Sequence, residues 1–315
     1  MRRFLVKLSL FTTLALLLLV AIEVALLFVP NTYSYKREYL EKHIDDINIL
    51  LMGSSYIEEG VCPEIIGDGC FNIAIAGRDI AFDAEIAKKY FSKMNQLKVV
   101  LLPLDYSKFE FGRGYKNPLD TRIELDRMTV TYRCMHYKYM HLYVDELWYW
   151  SEILNSQLNY ISRFWQSRNE NVECDSLGYH ALMLKNRQDG WEYRAVPPII
   201  DTSKQIDKDA FNRYWPYIES MADCANKREV KLVLVNIPKY KTYQNDINNN
   251  VIQEMNLLIS QLQSKFNNVI YWDFTYNEDF GENDFFDACH LSEEGAKKFS
   301  RMLGDKIRDL TITSQ

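Results

Sequence analysis

Apolar positions fall along this chain in two patterns. Short, nearly unbroken runs occupy 47–53 (INILLMG), 70–76 (CFNIAIA), 97–104 (LKVVLLPL), 230–237 (VKLVLVNI) and 269–274 (VIYWDF). Runs of this length without polar alternation predict strands buried on both faces. Between them the period lengthens to that of a helix. Over 79–95, Asp79 is placed as N-cap, with Ile80, Phe82, Ile86, Ala87, Tyr90 and Phe91 on one face. Helices are also expected at 210–227, 251–266 and 292–310. Ser292 and Gly295 open the last of these, with Ala296, Phe299, Leu303, Ile307 and Leu310 at helical spacing. Five short buried strands separated by helices predict an α/β fold with a doubly wound parallel sheet.

Two stretches break the alternation. From about 106 to 205 there is no compact strand–helix repeat but an aromatic-rich segment, with Tyr132, Tyr137, Tyr139, Tyr143, Trp148, Tyr149, Trp150, Tyr160, Phe164 and Trp165. It reads as an insertion or cap on the sheet, helical over 142–165. Its aromatics suit either helix packing or a surface that stacks against sugars. At the other end, Arg2, Arg3 and Lys7 precede an apolar run over 8–29, interrupted by Ser9, Thr12, Thr13 and Glu23. That run is long enough to cross a bilayer as a helix, and the basic residues ahead of it favour a cytoplasmic N-terminus. No small-x-small cleavage site stands at Val29-Pro30-Asn31-Thr32, which favours an uncleaved anchor over its competitor, a cleaved signal peptide. Glu23 is costly against lipid, so it is expected near the outer interface or paired with a partner helix. The expected layout is a membrane helix over 1–30, a polar stalk over 31–46, and a domain outside the cytoplasm over 47–315.

Composition narrows the partners. With 47% hydrophobic and 25% charged residues in 315, the chain has the make-up of a globular protein with a sizeable core. A formal net charge of -6 and the lack of a dense Lys/Arg stripe argue against nucleic acid. Six cysteines in an exported domain could form bridges, and Cys62 with Cys70 is the pair to test; their spacing fits no zinc pattern.

The candidate chemistry sits at two strand ends. The first strand closes on Gly53-Ser54-Ser55, where a glycine allows a tight turn that lifts a hydroxyl above the sheet edge. Just before the last helix stands Asp287-Ala288-Cys289-His290. That three-residue offset lets Asp287 orient the His290 imidazole and leaves the second ring nitrogen as a base. In a doubly wound sheet both loops lie on one edge, so Ser55 and His290 can meet. Taken singly, the serines also read as turn or capping residues, Asp287 as a solvated acid and His290 as a helix cap.

These pieces together resemble the SGNH (GDSL-type) hydrolases. Their Gly-Asp-Ser motif corresponds to Gly53-Ser54-Ser55, with Ser54 in place of the aspartate. Their Asn-x-x-x-x-Gly corresponds to Asn72–Gly77, and their Asp-x-x-His to Asp287 and His290. The wording looks most like the membrane-anchored envelope branch, which includes D-alanyl-transfer and polysaccharide O-acetylation proteins. The resemblance implies a five-stranded flavodoxin-like sheet of SGNH type. It implies Ser55 as nucleophile, His290 and Asp287 as base and orienter, and the N–H groups of Ser55 and Gly77 as the oxyanion hole. Ser54, Asn72 and Asp105 are the accessory candidates. One motif departs: where the family carries Gly-x-Asn-Asp, this chain has Leu102-Pro103-Leu104-Asp105-Tyr106-Ser107. An ionised Asp105 aimed into the oxyanion hole would repel the developing charge. Either Asp105 points elsewhere, or Tyr106, Ser107 or an insertion residue supplies a donor. The implied activity is a serine esterase or O-acyltransferase acting on acylated extracytoplasmic glycans, without metal or organic cofactor. By analogy with that branch, a membrane-bound acyl-donor protein is a candidate partner. The alternatives are a catalytically silent domain that binds glycan or scaffolds an envelope complex, and a lipase-like enzyme with an apolar groove beside Ser55.

Overall fold

The computed structural model describes residues 1–26, 32–78, 80–106, 172–195 and 208–312. The aromatic segment over 132–165, the N-cap role of Asp79, and Ser107 lie outside these. Five strands, β1 (Ile49–Leu51), β2 (Cys70–Asn72), β3 (Val99–Pro103), β4 (Lys231–Asn236) and β5 (Val269–Asp273), form one sheet in the order β2-β1-β3-β4-β5. All four pairings are parallel, so this is the flavodoxin-like order expected from the sequence. The order reverses between β1 and β3, and the loops leaving those strands flank the switch point. The strands are short because each apolar run is short. β1 through β4 are buried nearly throughout, whereas edge strand β5 is half-buried at Ile270, Tyr271 and Trp272.

The helices are α1 (Arg2–Leu26), α2 (Thr32–Lys42), single turns α3 (Ser55–Glu58) and α4 (Pro63–Ile66), α5 (Ile80–Tyr90), α6 (Lys208–Asn226), α7 (Lys241–Asp246), α8 (Asn249–Lys265) and α9 (Glu293–Ile312). On α5 the predicted apolar face is buried, from Ile80 and Phe82 through Ile86, Ala87 and Tyr90. On α9, Ala296, Phe299, Leu303 and Ile307 pack into a core cluster with Leu51, Val99, Val233 and Phe274. Ser292 Oγ accepts from the Gly295 N–H at 3.2 Å, so Ser292, not His290, caps this helix.

The chain divides into two compact units. One includes α1, an apolar helix long enough to cross a membrane, its described side chains mostly exposed. The other holds the sheet and begins at Lys36. This corrects the reading of 31–46 as a polar stalk. The segment is helical over Thr32–Lys42, Lys36 and Leu40 are fully buried, Tyr39 stacks on Phe71 of β2 at 4.3 Å, and the Tyr90 hydroxyl donates to Glu41. Polar composition concealed a helix whose few inward positions are tied down. Residues 174–195, inside the stretch read as an insertion, also belong to the sheet unit; the Leu177 carbonyl accepts from the Asn72 N–H at 2.9 Å. Cys62, Cys70, Cys174, Cys224 and Cys289 are free thiols, so the Cys62–Cys70 pair is unbridged.

Pro103 inside a central strand has a local explanation. Val99 turns its N–H to the Asn48 carbonyl leading into β1, and Leu104 turns its own to Val235 of β4. By alternation, the donor that Pro103 lacks faces the place where β1 has already ended. Its ring fills that place and lies against Gly53, which adopts φ +109°; a Cβ there would sit 2.3 Å from Pro103 Cδ. Gly53→Ala therefore combines left-handed strain with a clash against a ring that cannot swing away. It is expected to cost about 2–4 kcal/mol. Urea unfolding of the two forms checks this, and an unchanged midpoint would show that the Pro103 ring has room to move.

Candidate active site

β1 ends at the switch point, and the chain turns at Gly53 and Ser54 into α3, placing Ser55 at the first position of a helical turn. Ser55 N–H therefore has no intrahelical acceptor. Ser54 is extended at φ -100°, but its buried hydroxyl makes no capping bond and has no partner among the described residues, so the capping reading of this serine does not hold. Asp83 of α5 accepts the Gly53 N–H at 3.2 Å and pairs with Arg78 at 2.6 Å, fixing the turn from beneath.

The loop leaving β5 brings the other groups. Phe285 bridges to Leu291, and the Phe286 N–H donates to the His290 carbonyl, closing a tight loop around 286–290. Ser55 Oγ lies 2.9 Å from His290 Nε2, across 235 residues of sequence. His290 Nδ1 lies 3.0 and 2.9 Å from the two Asp287 oxygens. Asp287 Oδ1 also accepts the N–H groups of Cys289 and His290, at 2.9 and 2.8 Å. Burial pushes the Asp287 carboxyl up, but its bond to His290, the nearby imidazole and those two N–H groups hold it below the usual range. Burial pulls the His290 imidazolium down. The Cys289 sulfur, 3.2 Å from Nδ1, and the Asp287 carboxylate outweigh it and carry the pKa well above 6.5. An ionised Asp287 accepts from Nδ1–H, which leaves the neutral ring with Nε2 as acceptor for the Ser55 hydroxyl. Ser55, His290 and Asp287, singled out in the sequence, thus meet in the arrangement of an acyl-transfer triad.

Asn72 plays a different part from a substrate contact. Its amide donates to the Ile57 and Val61 carbonyls and its oxygen accepts from the Ala74 N–H. It clamps the α3 segment to the loop that leads to Gly77. In that loop Glu58 accepts the Ala76 N–H, while Gly77 is exposed and turns at φ 72°. With the Ala76 donor engaged, the Gly77 N–H is the loop's next donor in sequence. Glu58 is itself buried and met by Lys36 Nζ at 2.7 Å, which also donates to the Ala74 carbonyl. Burial lowers the Lys36 pKa and the charge of Glu58 opposes that.

Asp105 is held in a buried ion pair. Its carboxylate meets Lys239 Nζ at 2.7 Å and accepts from the Tyr243 hydroxyl at 2.7 Å. The Tyr106 hydroxyl donates to Asp273, so it does not substitute as a donor there. Lys239 ties the site together: it leaves β4, pairs with Asp105 after β3, donates to the Cys289 carbonyl at 3.1 Å, and lies 3.5 Å above the Tyr56 ring. That ring in turn stacks on His290 at 5.2 Å. Sequence reasoning missed Lys239, Lys36, Tyr56, Glu58 and Glu59, because isolated charges in polar loops resemble solvated surface. The one legible signal was two glutamates directly behind a candidate nucleophile. Among the described residues, Asp287, Cys289 and His290 hold three potential metal-ligand atoms within 4.8 Å. The hydrogen bonds above already use both Asp287 oxygens and Nδ1.

No family model matches the sequence, and no curated protein matches it. Solved structures do. One from Streptococcus pneumonia, provisionally described as a platelet activating factor, aligns at 12% identity and TM-score 0.45, covering 95% of this chain and 98% of that one. A GDSL-like lipase from Bacteroides thetaiotaomicron aligns at 12% identity and TM-score 0.40, covering 88% and 99%. A catalytic mutant of an acetylxylan esterase from Geobacillus stearothermophilus aligns at 9% identity and TM-score 0.39, covering 82% and 92%. Likeness at this level assigns no chemistry to the present chain.

The Lys239–Asp105 pair has a thermodynamic signature. Lys239→Met leaves a buried carboxylate without its cation and is expected to cost about 3–5 kcal/mol. Lys239→Met with Asp105→Asn together should cost less than Lys239→Met alone. Urea midpoints measure this, and a double variant less stable than the single one would refute the pairing as the main contribution.

Proposed function

We propose that this chain is a serine ester hydrolase or O-acyltransferase of SGNH type, held at the membrane by α1 and acting outside the cytoplasm on acylated glycans. The observation that carries the proposal is the relay from Ser55 Oγ to His290 Nε2 and from Nδ1 to Asp287, at 2.9 Å on each side of the ring. Nε2 takes the Ser55 proton as Oγ attacks an ester carbonyl, and the N–H groups of Ser55 and Gly77 hold the oxyanion. The imidazolium then gives its proton to the leaving alcohol, and an acyl-Ser55 remains. Water releases the acid; a sugar hydroxyl carries the acyl group onward. Basic residues in the first two turns of α1, ahead of its apolar run, support the topology with a cytoplasmic N-terminus. A membrane-bound acyl-donor protein is the candidate partner for the transferase reading, by analogy with the envelope branch.

A silent binding domain remains the rival. Its support is that Asp105 and Tyr106, which follow β3 where the family carries its asparagine, are both engaged elsewhere.

A fluorophosphonate probe decides between the two. With the full chain in detergent, adduct is expected on Ser55 and absent in Ser55→Ala, as read by peptide mass spectrometry. A folded wild type that takes no adduct would favour the silent domain. Adduct on Ser54 would move the nucleophile by one residue. The pH dependence follows from His290, which must be neutral at Nε2 to accept the proton. Its raised pKa keeps the ring protonated to higher pH, so labelling rises as pH climbs through the range above 6.5 and then levels off. Asp287→Asn removes the carboxylate that raises that pKa. The variant is expected to label about 10³–10⁴-fold more slowly, with its rise moved to lower pH.

A further inference from the structure

Glu59 is a second acid at the same edge. It follows Ser55 by four residues on the turn that carries the nucleophile and is mostly buried. Its Oε2 lies 4.0 Å from His290 Nε2, the same nitrogen that meets Ser55, and its Oε1 lies 3.8 Å from His180 Nδ1. His180 is anchored from the other side, its backbone N–H donating to the Glu58 carbonyl at 3.1 Å. A separation of 4.0 Å is too long for a direct hydrogen bond. It does fit an oxygen about 2.8 Å from each atom, subtending an angle of about 90°. In an acyl-enzyme Ser55 Oγ no longer carries a proton, so Nε2 needs a new donor in that direction.

We infer that Glu59 binds the oxygen nucleophile that resolves the acyl-enzyme, holding it against His290 Nε2 while His180 orients the carboxyl. The inference rests on the esterase reading above and deepens it, because it names the acceptor. A water molecule has two O–H groups: one donates to Nε2 and the other to an ionised Glu59, which leaves a lone pair free for the acyl carbon. As the new C–O bond forms, Nε2 takes one proton; it then returns that proton to Ser55 Oγ as the C–Oγ bond breaks, and the carboxylic acid leaves. An alcohol has a single O–H, which Nε2 needs, so it gains nothing from a carboxylate at Glu59. The ionised acid thus favours water over alcohol. Burial raises the Glu59 pKa to about 7 against the pull of His290; Glu58 on its own turn and Asp287 push it further up, and Lys36 of α2 opposes them. His180, from the segment over 174–195, also faces it.

The test uses the full chain in detergent with p-nitrophenyl acetate, with methanol as competing acceptor. Burst kinetics read acylation and deacylation separately, and product analysis reads the partition between acetate and methyl acetate. In Glu59→Gln, deacylation is expected to fall about ten-fold more than acylation, and the partition to move toward methyl acetate. The ratio of wild-type to Glu59→Gln deacylation should grow as pH rises through about 7. His180→Asn, at a half-exposed position, should move both readings the same way by a smaller amount. Equal loss in both steps, or an unchanged partition, would overturn the inference. A wild type with no burst and no acetyl-Ser55 would remove the esterase reading itself, and this inference with it.

Discussion

The site depends on one buried cation. Lys239 draws in a carboxylate from the loop after β3, a backbone carbonyl beside His290 and the face of the Tyr56 ring next to Ser55. Four strand ends of a parallel sheet carry no ladder bonds that would set their loops against one another. A desolvated ammonium with three donors does so, because every contact it loses leaves charge or dipole unpaired in a medium that answers poorly. The same contact settles Asp105. An acid two residues past the end of β3 would oppose oxyanion formation if it faced Ser55; held by Lys239 and Tyr243, its charge is neutralised and turned away.

A second polar clamp joins α3 to the loop after β2. Glu58 takes the Ala76 N–H, and Asn72 joins α3 to the same loop. Both residues lie beneath the reacting edge and touch only protein. Their effect is to fix the backbone of α3 and of the loop over 74–77 against each other. Preorganisation of this kind is what makes a backbone donor effective, since no reorganisation is needed as charge develops.

The strands, their parallel order and the pairing of Ser55 with His290 and Asp287 were legible in the sequence for physical reasons. Burial on both faces leaves an unbroken apolar run, and a doubly wound topology puts the loops that leave its strands on one edge. Pro103 was legible as an exception, though not its cause, since the fit of its ring against Gly53 is a tertiary contact. Lys36 and Lys239 were illegible, and Glu58 and Glu59 were marked only by their place behind the candidate nucleophile. A charge paired through space by a residue tens of positions away has the same local sequence as one in water. The polar stretch ahead of β1 misled for that reason: two buried positions, Lys36 and Leu40, decide its packing, and composition averages them out.

That stretch has a consequence for how this protein can vary. Because Lys36 reaches Glu58 from a helix, its position is fixed by rotation of about 100° and a rise of about 1.5 Å for each residue along α2. A single insertion between Lys36 and Leu40 would turn one of the two away from the sheet. The helix and the turn that carries Glu58 thus form one packing unit, and an exchange that joins foreign sequence at β1 would separate an acid from its counter-ion.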